Sequence, residues 1–311
     1  MKAATLTQYG GKEALEINEN APVPTIKPNE VLVKVRAASV NPFDYSVQSG
    51  SYKGYFPVEF PAILGGDVSG TVDQVGEDVS GFSVGQEVYG MAGAAGSHGS
   101  FAEYTPVKAS QLSVKPKNTD FTTAAALPLA SVSAYQALVD HMDLKSGQKI
   151  LIHGGAGGIG SFAIQIAHSI GAHIVTTVSQ ADIEYVKSIG ADEAIDYKKV
   201  DFSDDEKDFD AVFDAVGGET NKKSYSVLKP GGILVSMVAP EDPELTKQYN
   251  IKYVHESTKV NPERLAAITE LTESGKIKVH IDKTFPLIEA AEALDFSKSN
   301  HSKGKVVITV S

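Results

Sequence analysis

The chain has 311 residues, a formal net charge of −11 and no cysteine. That length gives one large or two ordinary domains with ample core, and the charge argues against a nucleic-acid or anionic-membrane surface. Without cysteine there is no disulfide, no Cys nucleophile and no thiolate zinc site.

The N-terminus, MKAATLTQYGG, lacks the apolar core of a signal peptide. No apolar run approaches the ~20 residues of a membrane span. The expectation is a soluble, cytoplasmic protein without a membrane partner, and an organelle form stripped of its leader would read the same way. Residues 1–120 are β-rich: Val31, Val33 and Val35 alternate with Leu32, Lys34 and Arg36, and Val68–Val75, Gly85–Tyr89 and Phe101–Val107 are short extended stretches between glycines.

From Thr123 the texture changes, and AAALPLASVSAYQALVDH predicts a helix interrupted near Pro128. Strand and helix patterns then alternate. Ile150–Ile152 suits a strand buried on both faces. Gly154–Gly160 (GGAGGIG) is too glycine-dense to continue it. Ile159, Ala163, Ile166 and Ile170 recur at helical spacing up to a stop at Gly171, and His173–Val178 is a second β-rich run. A helix ended by Gly190, strands at Glu193–Asp196 and Asp210–Val216, and a last strand at Gly232–Val238 complete a series that implies a parallel sheet with helices on both faces. The acidic run Asp201–Asp210 reads as solvated loop and helix face. A helix at Pro262–Ser274 and an extended run at Lys305–Val310 follow, the latter suited to an antiparallel or edge position in the first domain.

Gly155, Gly157 and Gly160 satisfy G-x-G-x-x-G between a strand and a helix. Glycine is needed there because the turn is tight and the backbone must approach a pyrophosphate, which also meets the positive end of the helix. About 20 residues beyond the glycines, an NAD site carries Asp or Glu for the ribose 2′-hydroxyl. This chain has Val178-Ser179-Gln180. A carboxylate beside a 2′-phosphate would cost ~1–4 kcal/mol at effective dielectrics of about 80 to 20. The neutral end therefore permits NADP(H), although no Arg follows and the first nearby cation is Lys187.

Ala38–Asp44 (ASVNPFD), Gly65–Gly70 (GGDVSG), Gly99–Tyr104 (GSFAEY), Leu127–Leu138 (LPLASVSAYQAL), the glycine turn, Gly190–Tyr197 (GADEAIDY), Asp214–Gly218 (DAVGG) and Gly304–Val310 (GKVVITV) occur in an order that resembles the medium-chain dehydrogenases/reductases. The resemblance is to the zinc-independent, zeta-crystallin-like quinone oxidoreductases. It implies an α/β protein with a GroES-like β domain at 1–122, a Rossmann domain at 123–257 and a return of 258–311 to the first domain. It also implies a cleft between the domains for nicotinamide and substrate, and a homodimer. Where zinc-dependent relatives place metal ligands, this chain has Asn41 and Gly65-Gly66-Asp67. Its eight histidines are dispersed, His98 and His301 in polar loop-like contexts, so no metal is expected.

For the cofactor the resemblance implies Gly157, Gly158, Ile159 and Gly160 at the pyrophosphate, within the turn Gly155-Ala156-Gly157. It further implies Ser179 and Tyr197 beside the 2′-phosphate and Ser133 near the nicotinamide. Val216-Gly217 and Ser236-Met237-Val238 fall at strand ends, where ligands meet open α/β sheets. Within NPFDYSVQSGSY, Asn41, Tyr45 and Tyr52 offer amide or phenol groups as candidate donors to a developing oxyanion, the resemblance implies Asn41 and Tyr52 near the nicotinamide cleft, and Asp44 reads as a structural acceptor. Alcohol oxidation needs a Lewis acid. A quinone or enone already accepts hydride readily, so the expected reaction is NADPH-dependent reduction of a quinone. Reduction of an alkenal, enone or 2-enoyl thioester is the alternative, and a nucleotide-binding protein with little turnover is the alternative of another class.

Overall fold

A computed structural model describes residues 1–93, 98–205, 207–299 and 302–311. His301 lies outside them. The chain divides into two compact units, Met1–Leu129 with Val260–Ser311, and Ala130–Lys259.

The first unit is built on the long strand Glu30–Val40, whose Val31, Val33 and Val35 are buried as their alternation predicts. Asp67–Val75 pairs with it antiparallel, followed outward by Glu87–Met91 and Leu112–Val114, and Tyr104–Lys108 also pairs with the long strand. That last strand begins later than Phe101 because Phe101 and Ala102 serve a different sheet: the Phe101 carbonyl accepts from Ala4 N–H at 2.8 Å, and Ala3 bridges Ala102.

The C-terminal return enters the same large sheet. Lys305–Thr309 pairs antiparallel with Glu30–Val40, but it is not an edge strand. Ile281–Pro286 lies parallel along its other side and takes the edge. Only Phe285 of that edge strand is buried, and its middle, Asp282-Lys283-Thr284, is polar and exposed, which leaves little hydrophobic signal in the sequence. Tyr89 fixes the return helix Pro262–Glu273, donating to Leu265 O at 2.7 Å and meeting Thr269 Oγ1 at 2.9 Å.

The second unit holds a parallel sheet in the order Glu193–Asp196, His173–Val178, Lys149–His153, Phe209–Asp214, Leu228–Ser236, Lys252–His255. This is a doubly wound order with its switch point beside Lys149–His153. The sequence series stops one strand early, since Lys252–His255 is four residues without full burial. The helix after the glycine turn is Gly158–Ile170, ended by Gly171 at φ +89°, whose N–H reaches Ala167 O and His168 O. The predicted helix around Pro128 is two, Phe121–Ala125 and Pro128–Tyr135, with proline opening the second. Asp210, at the end of the acidic run, is not merely solvated: it accepts from Lys149 N–H at 2.8 Å and Lys229 Nζ at 3.0 Å.

Close backbone approaches constrain the large sheet, at Gly70 and at Gly90. A Cβ on Gly70 would stand 2.1 Å from Lys34 O, inside the paired strands, where neither backbone can give way. Gly70→Ala should therefore cost about 1–3 kcal/mol through overpacking. Chemical denaturation checks this; an unchanged midpoint and slope would show that the strands separate there at no cost.

Candidate active site

The glycine turn assigns different reasons to its glycines. On Gly155 a Cβ would stand 2.1 Å from Thr176 Oγ1, and on Gly160 it would stand 2.2 Å from Gly154 O. Both are required by the protein itself, for strand contact and for a close strand–helix turn. On Gly157, a Cβ would come no nearer than 3.4 Å to any neighbour. Its φ of −73° suits any residue, so neither backbone conformation nor packing within the protein requires glycine at 157. Gly157 is the N-cap of the 13-residue helix Gly158–Ile170, whose first N–H groups have no acceptor within the helix, and Ala156, Gly158 and Ile159 beside it are half-buried.

The neighbouring strand ends are organised by one buried carboxylate. Asp214 Oδ1 accepts from Val216 N–H at 2.9 Å and Gly217 N–H at 2.8 Å. Its Oδ2 accepts from Asn221 Nδ2 at 2.7 Å and Ser236 Oγ at 2.9 Å. Ser236 Oγ in turn accepts from Ala239 N–H at 3.0 Å, and Met237 N–H donates to Asp214 O at 2.9 Å. Asp214 thus joins Val216-Gly217 to Ser236-Met237-Val238. Val216 and Val238 are left 54% and 53% exposed, an apolar edge beside the glycine turn. A Cβ on Gly154 would meet Val216 Cγ2 at 3.3 Å, and one on Gly217 would meet Val238 Cγ2 at 2.9 Å. Behind the turn, His153 is fully buried between Thr177 Oγ1 and Ser224 Oγ, both at 3.0 Å. Burial pulls its pKa down to about 4, so it is neutral and structural.

At the end of His173–Val178, Ser179 Oγ donates to Asp182 Oδ2 at 2.7 Å. Parallel pairing sets Val178 against Asp196, and Tyr197 N–H donates to Val178 O at 3.2 Å. Ser179 and Tyr197 therefore meet at one corner. Ser133 is buried, with its Oγ 2.6 Å from Thr258 Oγ1.

In the first unit, Asn41 caps the helix Pro42–Gln48 and is only 4% exposed. Its Oδ1 accepts from Lys305 Nζ at 2.6 Å and its Nδ2 donates to Asp67 Oδ2 at 2.9 Å. Ser39 Oγ donates to the same Asp67 oxygen at 2.7 Å, Lys305 Nζ is 3.4 Å from it, and Leu129 N–H donates to Asp67 Oδ1 at 2.9 Å. Asp44 accepts from Asn41 N–H at 2.7 Å through Oδ2, while its buried Oδ1 has no hydrogen-bond partner among the described residues. Burial chiefly, with the Asp67 charge behind it, pushes the Asp44 pKa up to about 7 against the pull of Asn41 N–H and Lys305.

Sequence reasoning singled out Asn41 but missed that Lys305 and Asp67 hold its amide and that Ser39 shares Asp67 with it; a lysine inside the apolar run GKVVITV was the available signal. Tyr52 is 41% exposed and stacks on Phe43 at 5.7 Å, with Phe56 edge-on to both. Tyr45, half-buried on the same helix as Phe43, has its phenol pKa raised by burial, then by Asp44 and Tyr52. Of the three candidate donors, Tyr52 alone is open to solvent.

The architecture is that of a two-part α/β protein: a glycine turn on a doubly wound sheet in one unit, and a sheet carrying an aromatic and amide cluster in the other. Residues 27–117 match the alcohol dehydrogenase GroES-like domain, and residues 189–308 match a zinc-binding dehydrogenase domain. The chain is 39% identical to tomato (Solanum lycopersicum) 2-methylene-furan-3-one reductase, over 99% of this chain and 79% of that protein. It is 38% identical, over the same shares, to the chloroplastic NADPH-dependent alkenal/one oxidoreductase of Arabidopsis thaliana. The solved structure of the Coxiella burnetii quinone oxidoreductase superposes with a TM-score of 0.91 at 33% identity, covering 100% of this chain and 99% of that one. The chain belongs to the zinc-independent, zeta-crystallin-like branch of the medium-chain dehydrogenases/reductases.

Its residues do not fit the zinc ion that the matched domain's description implies. There is no cysteine, Gly66 offers no side-chain ligand, and the Lys305 ammonium already lies against Asn41 and Asp67. Among the described residues no three His, Asp or Glu gather as a metal set, and no helix is long and apolar enough to cross a membrane.

Asp44 makes stability depend on pH with a definite sign. Folded, it keeps its proton to about pH 7; unfolded, it loses it near the ordinary aspartate value of 3.8. The fold therefore bears no cost below that value and loses up to ~4 kcal/mol as pH rises to about 7. Asp44→Asn should gain thermal stability relative to the parent between pH 5 and 8. A melting-temperature difference that stays constant across that range would show Asp44 ionised in the fold throughout.

Proposed function

We propose that this chain is an NADPH-dependent reductase of conjugated carbonyl compounds, either quinones or α,β-unsaturated ketones and aldehydes. The observation that carries the reading is the free approach at Gly157 beside a helix N-terminus, where Gly155 and Gly160 are required by the fold and this one is not. Bound there, the cofactor would supply hydride from its nicotinamide ring.

The chain's own residues then have separable tasks. Gly155, Ala156, Gly157, Gly158, Ile159 and Gly160 present backbone to the pyrophosphate. Ser179 and Tyr197 take the adenosine ribose end. Val216, Gly217, Ser236, Met237 and Val238 form the strand-end edge against which the cofactor lies, and Ser133 stands on the nicotinamide side. Tyr52 donates to the oxygen of the acceptor as it gains charge. Asn41 and Tyr45 complete the polar surroundings, Asn41 oriented by Lys305 and Asp67. No Lewis acid is needed, because conjugation already makes the acceptor electrophilic.

Both tomato and Arabidopsis relatives are named for enone or alkenal substrates, which favours the enone acceptor over the quinone. We place the protein as a cytoplasmic homodimer; relatives named for chloroplasts and mitochondria mark the competing location.

Loss of nicotinamide absorbance from NADPH or NADH, against a panel of quinones and 2-alkenals, tests the reaction. Turnover on either class with NADPH is expected, and tight cofactor binding without turnover on any acceptor would overturn the reductase reading. Gly157→Ala tests the cofactor site. It should melt like the parent yet bind NADPH at least about tenfold more weakly, a loss of ~1.4 kcal/mol. Gly155→Ala should instead lower the melting temperature. Unchanged NADPH affinity in Gly157→Ala would mean that the dinucleotide lies elsewhere.

A further inference from the structure

Resting on the NADPH reading, we infer that Lys199 supplies the positive charge for the cofactor's 2′-phosphate and that Asp182 opposes it, so this pair sets the preference for NADPH over NADH. The ribose end of a dinucleotide lies beyond the C-terminal end of the second strand, here Ser179. The sequence offers no Arg there, and Lys187, the nearest cation in sequence, stands in the last turn of the helix Ile183–Ser188.

Parallel pairing brings a different cation to the corner. Because Val178 stands opposite Asp196, the segment Tyr197-Lys198-Lys199 leaves its strand alongside Ser179-Gln180. Lys199 Nζ donates to Gln180 Oε1 at 2.9 Å and lies 3.5 Å from Asp196 Oδ2. An ammonium has three donors, so one remains for a phosphate oxygen after these two contacts. Lys198 instead extends over the Tyr197 ring, 5.7 Å from its centroid.

Asp182 works against the phosphate. Its Oδ2 accepts from the Ser179 hydroxyl at 2.7 Å, which commits that hydroxyl to a carboxylate and sets a negative charge at the ribose corner. A 2′-hydroxyl tolerates this arrangement and can donate to a carboxylate. A 2′-phosphate must find its compensation in Lys199 and must draw the Ser179 hydroxyl away from Asp182.

Equilibrium binding of adenosine 2′,5′-bisphosphate and of 5′-AMP, by calorimetry, tests the assignment without turnover. Lys199→Met should weaken the bisphosphate about tenfold or more and leave 5′-AMP within about twofold, the difference expected of one charge near a phosphate. Asp182→Asn should tighten the bisphosphate several-fold, while Lys187→Met should change neither ligand. The same variants should shift the ratio of NADPH to NADH affinity in the same directions. Equal losses for both ligands in Lys199→Met, or loss of the bisphosphate in Lys187→Met alone, would overturn the assignment and leave the cofactor site intact. A parent protein that binds neither ligand nor NADPH would instead overturn the cofactor reading beneath it.

Discussion

The first unit depends on a single buried carboxylate. Asp67 receives Ser39, Asn41, Leu129 N–H and the Lys305 ammonium, so one side chain joins the long strand, the start of the helix Pro42–Gln48, the residue after Pro128 and the returning C-terminal strand. An unpaired charge at that depth would cost several kcal/mol. Each partner is therefore a condition for the others. Separation in sequence is bridged by chemistry as well as by the β ladder: residues 67 and 305 meet because a carboxylate needs a cation and the strand Lys305–Thr309 brings one.

Asp214 performs the matching task in the second unit. It is buried and accepts from two backbone N–H groups and two side chains. No cation is among those partners. Four hydrogen bonds to a carboxylate replace its hydration, and the product is a rigid junction between two strand-end loops. Rigidity there matters because the exposed edge built from Val216 and Val238, the cofactor edge in the proposed function, has no polar anchors of its own. The loop conformation has to be fixed from beneath.

Much of this was legible in the sequence, for reasons that differ by region. The parallel sheet was readable because apolar runs such as Ile150–Ile152 are buried on both faces and the glycine turn punctuates them. The strand Glu193–Asp196 matched its expected bounds, since Gly190 and the following tyrosine frame it. Strands whose residues face solvent on one or both sides, Ile281–Pro286 and Lys252–His255, carried too weak a pattern. At the site, glycine spacing disclosed the turn but could not separate Gly155 and Gly160, which the fold needs, from Gly157, which it does not; that distinction is three-dimensional. Asn41 was found by kinship, whereas its orientation by Lys305 depends on a contact across 264 residues of sequence. Likewise Lys199 is 19 residues from Gln180 and becomes its neighbour only through parallel register.

The charge balance around Asn41 explains why a zinc-free site is self-consistent. Two carboxyl groups, Asp44 and Asp67, are buried there with one ammonium, Lys305. If both carboxyls were ionised the cluster would carry a net negative charge in a low-dielectric interior. Retention of a proton by Asp44 to about pH 7 removes that excess and leaves one anion against one cation. A divalent metal in the same space would have to displace or discharge the lysine and would find a glycine where a ligand is needed. The same lysine that makes metal binding unfavourable donates to the amide oxygen of Asn41, so one cation both balances the buried carboxylate and fixes the orientation of a polar group.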